Sequence, residues 1–142
     1  MSESLYLDYG PGLEFVDLLG LDFYMNNLTD PWFAGLIDEL AMVVDLAERT
    51  GKIAAWTEGG AIRGLSDYEN DPACDFWTQK HLGPILDDVV ASGISYYLMW
   101  YNRPEGPKWG PAIGHCTEAD FKKICDRPDT ALEGELNLYS LP

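Results

Sequence analysis

Residues 52–60 read Lys52-Ile53-Ala54-Ala55-Trp56-Thr57-Glu58-Gly59-Gly60, and this segment carries the strongest signal for the architecture of the chain. Its apolar run is typical of a buried parallel strand, and the run ends in the carboxylate of Glu58, directly before two glycines. A strand that ends in this way is typical of an α/β protein that presents a functional group to a cleft. The segment therefore predicts a parallel sheet and a candidate site.

Two further segments repeat this arrangement. The apolar run Phe15–Leu21 is followed by Asp22-Phe23-Tyr24, and the run Ile94–Met99 is followed by Trp100-Tyr101-Asn102. Because the carboxyl ends of parallel strands meet at one edge of a sheet, we expect these polar and aromatic side chains to gather around Glu58. A carboxylate, a phenol and an indole are side chains that a sugar-cleaving site needs.

Helical periodicity separates the predicted strands. After a predicted N-cap at Thr29-Asp30-Pro31, apolar residues recur at helical spacing from Leu36 to Ala47, and Gly51 is predicted to end this helix. A second helix is predicted from about Phe76 to Val90, bent or divided at Pro84. The capping-box-like sequence Thr117-Glu118-Ala119-Asp120 predicts a last short helix through Lys123.

The resulting order, β-α-β-α-β-α, predicts an α/β fold with parallel strands and right-handed crossovers. Two architectures fit: an open doubly wound sheet, or part of a (β/α)8 barrel. The first βα turn lacks a GxGxxG motif, which disfavours nucleotide binding, and no cofactor is expected. A complete barrel needs about 250 residues, so three βα units are less than half of one.

Charge restricts the partners of the chain. Its 142 residues carry 24 acidic and 9 basic side chains, for a net charge of −15. Such a surface repels phosphate backbones and anionic lipids, so neither nucleic acid nor membrane partners are expected. The first residues lack the pattern of a signal peptide, and no run approaches the ~20 apolar residues of a membrane helix.

No metal site is expected. The acidic stretch from Asp67 to Asp75 invites a calcium hypothesis, but an EF-hand loop needs glycine at its sixth position and glutamate at its twelfth, where this chain has Pro72 and Thr78. A solvated acidic loop is the favoured interpretation. His81 and His115 have no partners at metal-ligand spacing and are expected on a helix face and in a loop.

The cysteines and tryptophans are less specific signals. Cys74, Cys116 and Cys125 form no CxxC pair and are odd in number. A single Cys116–Cys125 bridge is one alternative, and three buried thiols are the favoured one. Trp56 and Trp77 are expected in the core, and Trp109 is a candidate platform for an outer sugar subsite. The sequence assigns no role to Trp32.

These segments together resemble the C-terminal part of family-26 glycoside hydrolases, which are mostly β-mannanases. The resemblance covers nearly the whole chain, in order and at the expected spacing. Pro11–Tyr24 resembles the family's sixth strand, and Leu46–Glu58 resembles its seventh strand with the catalytic nucleophile. Asp75–Thr78 resembles the start of the next helix, and Ile94–Asn102 the eighth strand with its active-site tryptophan. Asp120–Lys123 resembles the final helix.

The resemblance implies a partial TIM (β/α)8 barrel in which residues 1–142 form the C-terminal portion of the catalytic domain. It implies that Glu58 is the nucleophile of a retaining endo-β-mannanase and that Tyr24 donates a hydrogen bond to it. Asp22 would orient this region, Trp100 would form a hydrophobic floor under the bound sugar, and Asn102 would bind sugar hydroxyls nearby. β-Mannan or a related polysaccharide would be the substrate.

The chain departs from the family pattern at one point. Family members carry the general acid/base as a Glu directly after a His on the fourth strand, whereas neither His81 nor His115 is followed by Glu. We therefore expect the isolated chain to be inactive or nearly so, and to associate with its missing N-terminal barrel half or with itself. For the full-length parent enzyme an extracellular location is expected.

Two alternatives stay open at this point. One is a non-catalytic carbohydrate-binding or scaffold half-barrel that has kept its sugar-facing aromatic residues. The other is a related retaining glycosidase of different substrate specificity, since related families also place a nucleophilic Glu on the seventh strand.

Overall fold

The computed structural model describes residues 1–25 and 32–136 of the chain. It shows an α/β fold with three parallel strands, β1 (Leu18–Met25), β2 (Ile53–Ala61) and β3 (Tyr97–Met99), in the order β1-β2-β3. The predicted parallel sheet is confirmed. The predicted N-cap Thr29-Asp30-Pro31 lies outside the described residues.

Helices connect and flank the strands. The α-helices are α1 (Glu3–Asp8), α2 (Trp32–Thr50), α3 (Leu82–Leu86) and α4 (Glu118–Cys125). A π-helical segment, Phe76–His81, leads directly into α3. Short 3₁₀ helices lie at Leu13–Phe15, Gly64–Tyr68, Ala91–Gly93 and Glu133–Glu135. Within the described ranges, every helix is too short or too polar to cross a bilayer.

The strand boundaries differ from those predicted. Phe15 lies in a 3₁₀ helix and is exposed, while β1 begins at Leu18 and continues to Met25. In the same way β2 continues three residues past Glu58. The candidate site residues Asp22, Tyr24 and Glu58 therefore lie within paired strands, which hold their backbones more rigidly than loops would.

Helix α2 ends as the sequence predicted. Gly51 adopts a φ of +67°, the left-handed conformation that favours glycine. The Lys52 amide donates to the Ala47 carbonyl at 2.8 Å and the Gly51 amide to the Glu48 carbonyl at 3.4 Å. This pair of bonds is a Schellman motif. It turns the chain into β2 within two residues.

The predicted second helix changes type before Pro84 and ends earlier than expected. Pro84 has no amide proton to donate to the carbonyl of Lys80, and its ring pushes that carbonyl away. The chain responds with a wide π-turn in which the Leu82 amide donates to the Trp77 carbonyl. α3 then ends at Leu86, so the predicted extension to Val90 is wrong.

Two hydrophobic clusters lie between the sheet and its helices. Alternate residues of a strand share a face, so Leu19, Leu21 and Met25 point to one side of β1. Leu19 packs with residues of α2, whereas Leu21 and Met25 pack with residues of α2, α3 and α4. The largest cluster combines strand and helix residues: Leu21, Met25, Trp56, Leu36, Leu40, Phe76, Trp77, Ile85 and Ile124. The described helices of this cluster therefore cover the same face of the sheet.

The predicted capping box at the start of α4 does not form. Thr117 makes no side-chain cap bond, and Asp120 turns inward, where it is 2% exposed. Its Oδ2 accepts the amides of Trp77 at 2.8 Å and Thr78 at 3.1 Å, and its Oδ1 accepts the Thr78 hydroxyl at 2.7 Å. Asp120 therefore caps the π-helix of another segment and fastens α4 to it.

This role predicts that Asp120→Ala destabilises the fold by about 2–4 kcal/mol, because the variant leaves several buried donors without an acceptor. Urea unfolding followed by circular dichroism measures the change. Glu118→Ala, two residues earlier on the exposed side of α4, is the matched control: it removes one exposed acceptor, for the Gly114 amide at 2.7 Å, and should cost about 1 kcal/mol or less. Equal losses in both variants would contradict this role of Asp120.

Candidate active site

A β-bulge shapes the candidate site. Leu21 pairs with Trp56 and Asp22 pairs with Glu58, so Thr57 is an extra residue in β2. In a regular strand Thr57 and Glu58 would point to opposite faces, whereas the bulge lets both reach the same face of β1. Thr57 lies over Gly20 and Asp22, and Glu58 contacts Tyr24.

The central contact joins Tyr24 and Glu58. The Tyr24 hydroxyl donates to Glu58 Oε1 at 2.6 Å, as the resemblance predicted. Burial of the phenol, its bond to Glu58 and the nearby charges of Glu58 and Asp22 all raise the pKa of Tyr24 above its ordinary value. The phenol therefore keeps its proton at neutral pH and remains a hydrogen-bond donor to the carboxylate.

Asp22 lies beside this pair on an exposed part of the sheet. Its Oδ1 accepts the Thr57 hydroxyl at 2.8 Å. The bond joins β1 to the extra residue of the bulge, and so it fixes the backbone next to Glu58. Sequence reasoning placed Asp22 in this region but missed Thr57, because a bulge leaves no clear sequence signal beyond the glycines that follow.

The two positions after Glu58 require glycine for different reasons. A side chain on Gly59 would collide with the Trp56 indole, which is fully buried. Gly60 has a φ of +153°, and a β-carbon there would lie 3.3 Å from Trp109. β2 can therefore follow this path only with a residue that lacks a side chain.

A buried histidine supports the backbone after Glu58. Tyr97 donates its hydroxyl proton to the Gly59 carbonyl at 3.0 Å, and His81 Nε2 lies 2.8 Å from the same hydroxyl. Since that hydroxyl has only one proton, Nε2 must be the donor to it. His81 Nδ1 then faces the Met25 sulfur at 3.2 Å. Sequence reasoning expected His81 on a helix face and assigned it no role.

The remaining predicted site residues, Trp100 and Asn102, make other contacts. The Trp100 amide donates to the Gly59 carbonyl at 3.4 Å, and the Trp100 ring contacts Tyr101. Asn102 Oδ1 instead accepts the amides of Trp109 and Gly110, both at 2.8 Å. The structure thus brings Asp22, Tyr24 and Glu58 together, while the Asn102 amide organises the loop after β3.

Two further predictions about aromatic residues have different outcomes. Trp56 and Trp77 lie in the core, as predicted. Trp109 was predicted as a platform for an outer subsite, but it is only 9% exposed, with the Arg103 guanidinium 5.5 Å from its ring centre. Its ring fills the space beside Gly60 instead of presenting a face to solvent. The side chain of Trp32 lies outside the described part.

The acidic stretch is less solvated than predicted. Lys80 pairs with Asp71 at 2.6 Å and with Asp75 at 2.5 Å, and Arg63 pairs with Asp67 at 3.1 Å. The bond from Lys80 is the main reason that the pKa of Asp71 is lowered. Among the described residues no group of three or more His, Cys, Asp and Glu side chains is arranged to hold a metal ion.

The cysteines also differ from expectation, because Cys74, Cys116 and Cys125 are half-buried instead of buried. Cys116 precedes α4 and Cys125 is its last residue. A helix rises about 1.5 Å per residue, so their Cα atoms lie roughly 12 Å apart, whereas a disulfide needs less than about 7 Å. The alternative of a Cys116–Cys125 bridge is therefore wrong for the folded chain.

Comparison with known proteins gives the family. The sequence profile described as glycosyl hydrolase family 26 matches residues 2–82, which is more than half of the chain. The chain belongs to this family. The matched range includes β1, α2 and β2, and hence Asp22, Tyr24 and Glu58.

Relatives of known structure cover almost all of the chain. An endo-β-1,4-mannanase from Cellulomonas fimi is 35% identical, with a TM-score of 0.80 over 94% of this chain and 29% of its own. The catalytic domain of a Bacillus sp. JAMB-750 family-26 endo-β-1,4-mannanase is 30% identical, with a TM-score of 0.77 over 92% of this chain and 36% of its own.

A curated relative shows the same partial coverage. The mannan endo-1,4-β-mannosidase of Bifidobacterium adolescentis is 30% identical over 85% of this chain, but the match covers only 13% of that protein. The chain thus spans well under half of the length of these relatives.

Burial of His81 predicts a specific acid sensitivity. Burial lowers the pKa of His81 to about 3 in the folded chain. In the unfolded chain His81 binds a proton near pH 6.5, whereas in the folded chain it stays neutral at that pH. Its contribution to the free energy of unfolding is therefore complete above pH 6.5 and is lost as the pH falls towards 3. Between pH 7 and pH 5 we expect a loss of about 2 kcal/mol from this residue.

Urea unfolding at both pH values measures this loss. His81→Gln keeps a side-chain donor for Tyr97 but cannot titrate, so it should lose less stability than the parent between pH 7 and pH 5. His115→Gln is the matched control and should retain the full loss. Equal pH dependence in the parent and His81→Gln would contradict the prediction.

Proposed function

We propose that this chain is the nucleophile-bearing part of a retaining endo-β-mannanase and that it corresponds to the last three βα units of a (β/α)8 barrel. The observation that carries the proposal is the hydrogen bond from Tyr24 to Glu58, at neighbouring positions of two parallel strands. This contact holds a carboxylate in a fixed direction, as a nucleophile requires.

The sheet supports the barrel over the doubly wound alternative. A doubly wound sheet reverses its strand order and carries helices on both faces. Here the strands follow chain order, and α2, α3 and α4 contribute to one cluster on one face. The polar face of β1, which includes Asp22 and Tyr24, would then point to the barrel axis. In this proposal residues 1–142 are the C-terminal portion of one catalytic domain.

The proposed reaction has two displacement steps. A Glu58 oxygen attacks the anomeric carbon and forms a glycosyl ester, while the bond to the leaving sugar breaks. The leaving oxygen takes a proton from a general acid outside this chain. Water then attacks the same carbon, gives its proton to that acid/base, and frees the Glu58 carboxylate.

The neighbours of Glu58 have supporting roles in this proposal. Tyr24 orients the carboxylate through Oε1, and Asp22 holds Thr57 and so steadies the bulge. Trp100, whose backbone is bonded to the Gly59 carbonyl, would lie under the sugar at the cleavage point. A contact of Asn102 with sugar hydroxyls stays a prediction, since its amide mainly bonds the loop.

Mannan is the proposed substrate because the relatives described above are mannanases by name. A neutral polysaccharide is also compatible with a net charge of −15, which would repel an anionic one. The acid/base residue is expected on the part of the family domain that this chain does not cover. The isolated chain should therefore cleave mannan very slowly or not at all.

A trapping experiment tests the nucleophile separately from the acid. A fluorinated mannosyl donor with a dinitrophenolate leaving group needs no general acid, because dinitrophenolate departs without a proton. We expect the chain to gain the mass of one fluorosugar, located on Glu58 by peptide mapping. Glu58→Gln should gain none, and the matched control Glu69→Gln, at an exposed residue, should react like the parent.

Other outcomes separate the alternatives. Turnover of soluble mannan by the chain, abolished in Glu58→Gln, would show that a second carboxylate such as Asp22 completes the site. Absence of both trapping and hydrolysis, with manno-oligosaccharide binding that Trp100→Ala abolishes and Glu58→Ala preserves, would favour a non-catalytic binding half-barrel. Trapping by a glucosyl donor but not by a mannosyl donor would favour a related glycosidase.

We also propose that the chain needs a partner. An apolar cleft of about 340 Å³ lies beside β1, lined by residues that include Tyr6 and Leu13. Another of about 200 Å³ lies beside β3, lined by residues that include Ile85 and Tyr96. Leu98 on β3 is 57% exposed. Open strand edges next to apolar clefts favour association.

We expect the isolated chain to self-associate. When it is co-produced with the preceding segments of a family-26 barrel, we expect a soluble complex of one defined mass. Size-exclusion chromatography with light scattering measures both states. Leu98→Lys, which places a charge on the exposed edge strand, should weaken self-association, and Val89→Lys is a control at an exposed turn. A monomer with a sharp cooperative melt would contradict the proposal.

A further inference from the structure

Two cysteines from distant parts of the chain meet at one turn. The Cys74 thiol donates to the Asp71 carbonyl at 3.1 Å, and the Cys116 thiol donates to the Tyr68 carbonyl at 3.3 Å. The Asp71 amide in turn donates to the Tyr68 carbonyl at 3.1 Å, so the two acceptors are the ends of a single turn. The Cys74 thiol is also one of the neighbours that raise the pKa of Cys116.

We propose that Cys74 and Cys116 form a redox site that closes to a disulfide when the chain meets an oxidant of the small-molecule disulfide class, such as glutathione disulfide. Both thiols bind carbonyls at the two ends of one turn, so the bond would join side chains that the fold already brings to the same place. The inference does not depend on the proposed glycosidase activity.

The chemistry balances as two thiol–disulfide exchanges. One cysteine thiolate attacks a sulfur of glutathione disulfide, which forms a mixed disulfide and releases one glutathione thiolate. The second cysteine thiolate attacks the protein sulfur of that mixed disulfide and releases the second glutathione. The two protons lost by the cysteines end on the two glutathiones, and the two electrons reduce the glutathione disulfide.

The surroundings make this a slow reaction at neutral pH. Burial, the Cys74 thiol and the charges of Asp71 and Glu69 raise the pKa of Cys116 to about 11. Since the thiolate is the attacking form, we expect closure to accelerate as the pH rises. Both cysteines are half-buried, so a small oxidant suits the site better than a protein.

A disulfide here would fasten a loop that borders the candidate active site. The segment between β3 and α4 already touches the 3₁₀ helix Gly64–Tyr68, where the Leu65 amide donates to the Lys108 carbonyl at 2.6 Å. The next residue, Trp109, packs beside Gly60. A bond from Cys116 to Cys74 would add a covalent link at the end of the same loop and limit its movement away from β2.

Comparison of the folded and unfolded chain tests the proposal. In denaturant, loop closure favours the shortest ring, so Cys116 should pair mainly with Cys125. In the native chain we expect the opposite preference, with the Cys74–Cys116 bridge dominant. The chain is incubated with glutathione disulfide at pH 8, with and without urea, then quenched with acid. Non-reducing peptide mapping by mass spectrometry identifies the bridges.

Variants sharpen the result. Cys125→Ser should still lose two hydrogen masses under native conditions, whereas Cys74→Ser and Cys116→Ser should instead retain one glutathione adduct or remain reduced. The closed form should melt higher than the reduced form, by roughly 5–10 °C for a ring of this size. The melting shift in Cys125→Ser separates the bridge from any effect of the third cysteine.

Three outcomes would overturn the proposal: a native chain that forms no bridge, a native chain that pairs Cys116 with Cys125, or a chain that forms only intermolecular disulfides. Because peptide mapping of the parent chain alone gives the pairing, a variant that fails to fold does not weaken the test. Trapping at Glu58 is measured separately, so failure of that reaction leaves this result unaffected.

Discussion

Burial of Trp56 is the constraint on which the rest of the structure depends. Its indole is fully buried, contacts the rings of Tyr97 and His81, and lies against Gly59. These contacts fix both Trp56 and Gly59 on the helix-facing side of β2. A regular strand would need an odd number of residues between two positions on one face, and this strand has two. The bulge at Thr57 and Glu58 is the result.

The polar groups around the bulge form two supports on opposite faces of β2. On the open face, Asp22 and Tyr24 bind the side chains of Thr57 and Glu58. On the helix face, Tyr97 binds the Gly59 carbonyl and connects it to His81. The carboxylate is thus oriented both through its own oxygen and through the backbone that follows it.

The sequence predicted those parts of the fold that depend on local periodicity. The parallel strands, helix α2 and its end at Gly51 all follow from such patterns, whereas the hydrogen bond from Tyr24 to Glu58 was implied by the family resemblance. Long-range contacts left no comparable signal. Asp120 looked like a local cap but binds a distant π-helix, and His81 was expected only on a helix face but lies in the core.

The bulge makes the candidate site sensitive to the number of residues in β2. Removing one residue between Trp56 and Gly59 would restore regular pairing without changing the chemistry of any remaining side chain. The one residue left between Trp56 and Gly59 would still point to the open face. It could not make both the contact of Thr57 with Asp22 and the contact of Glu58 with Tyr24. The orientation of the carboxylate is therefore a matter of strand length as much as of residue identity, and an insertion or deletion here is more damaging than most substitutions.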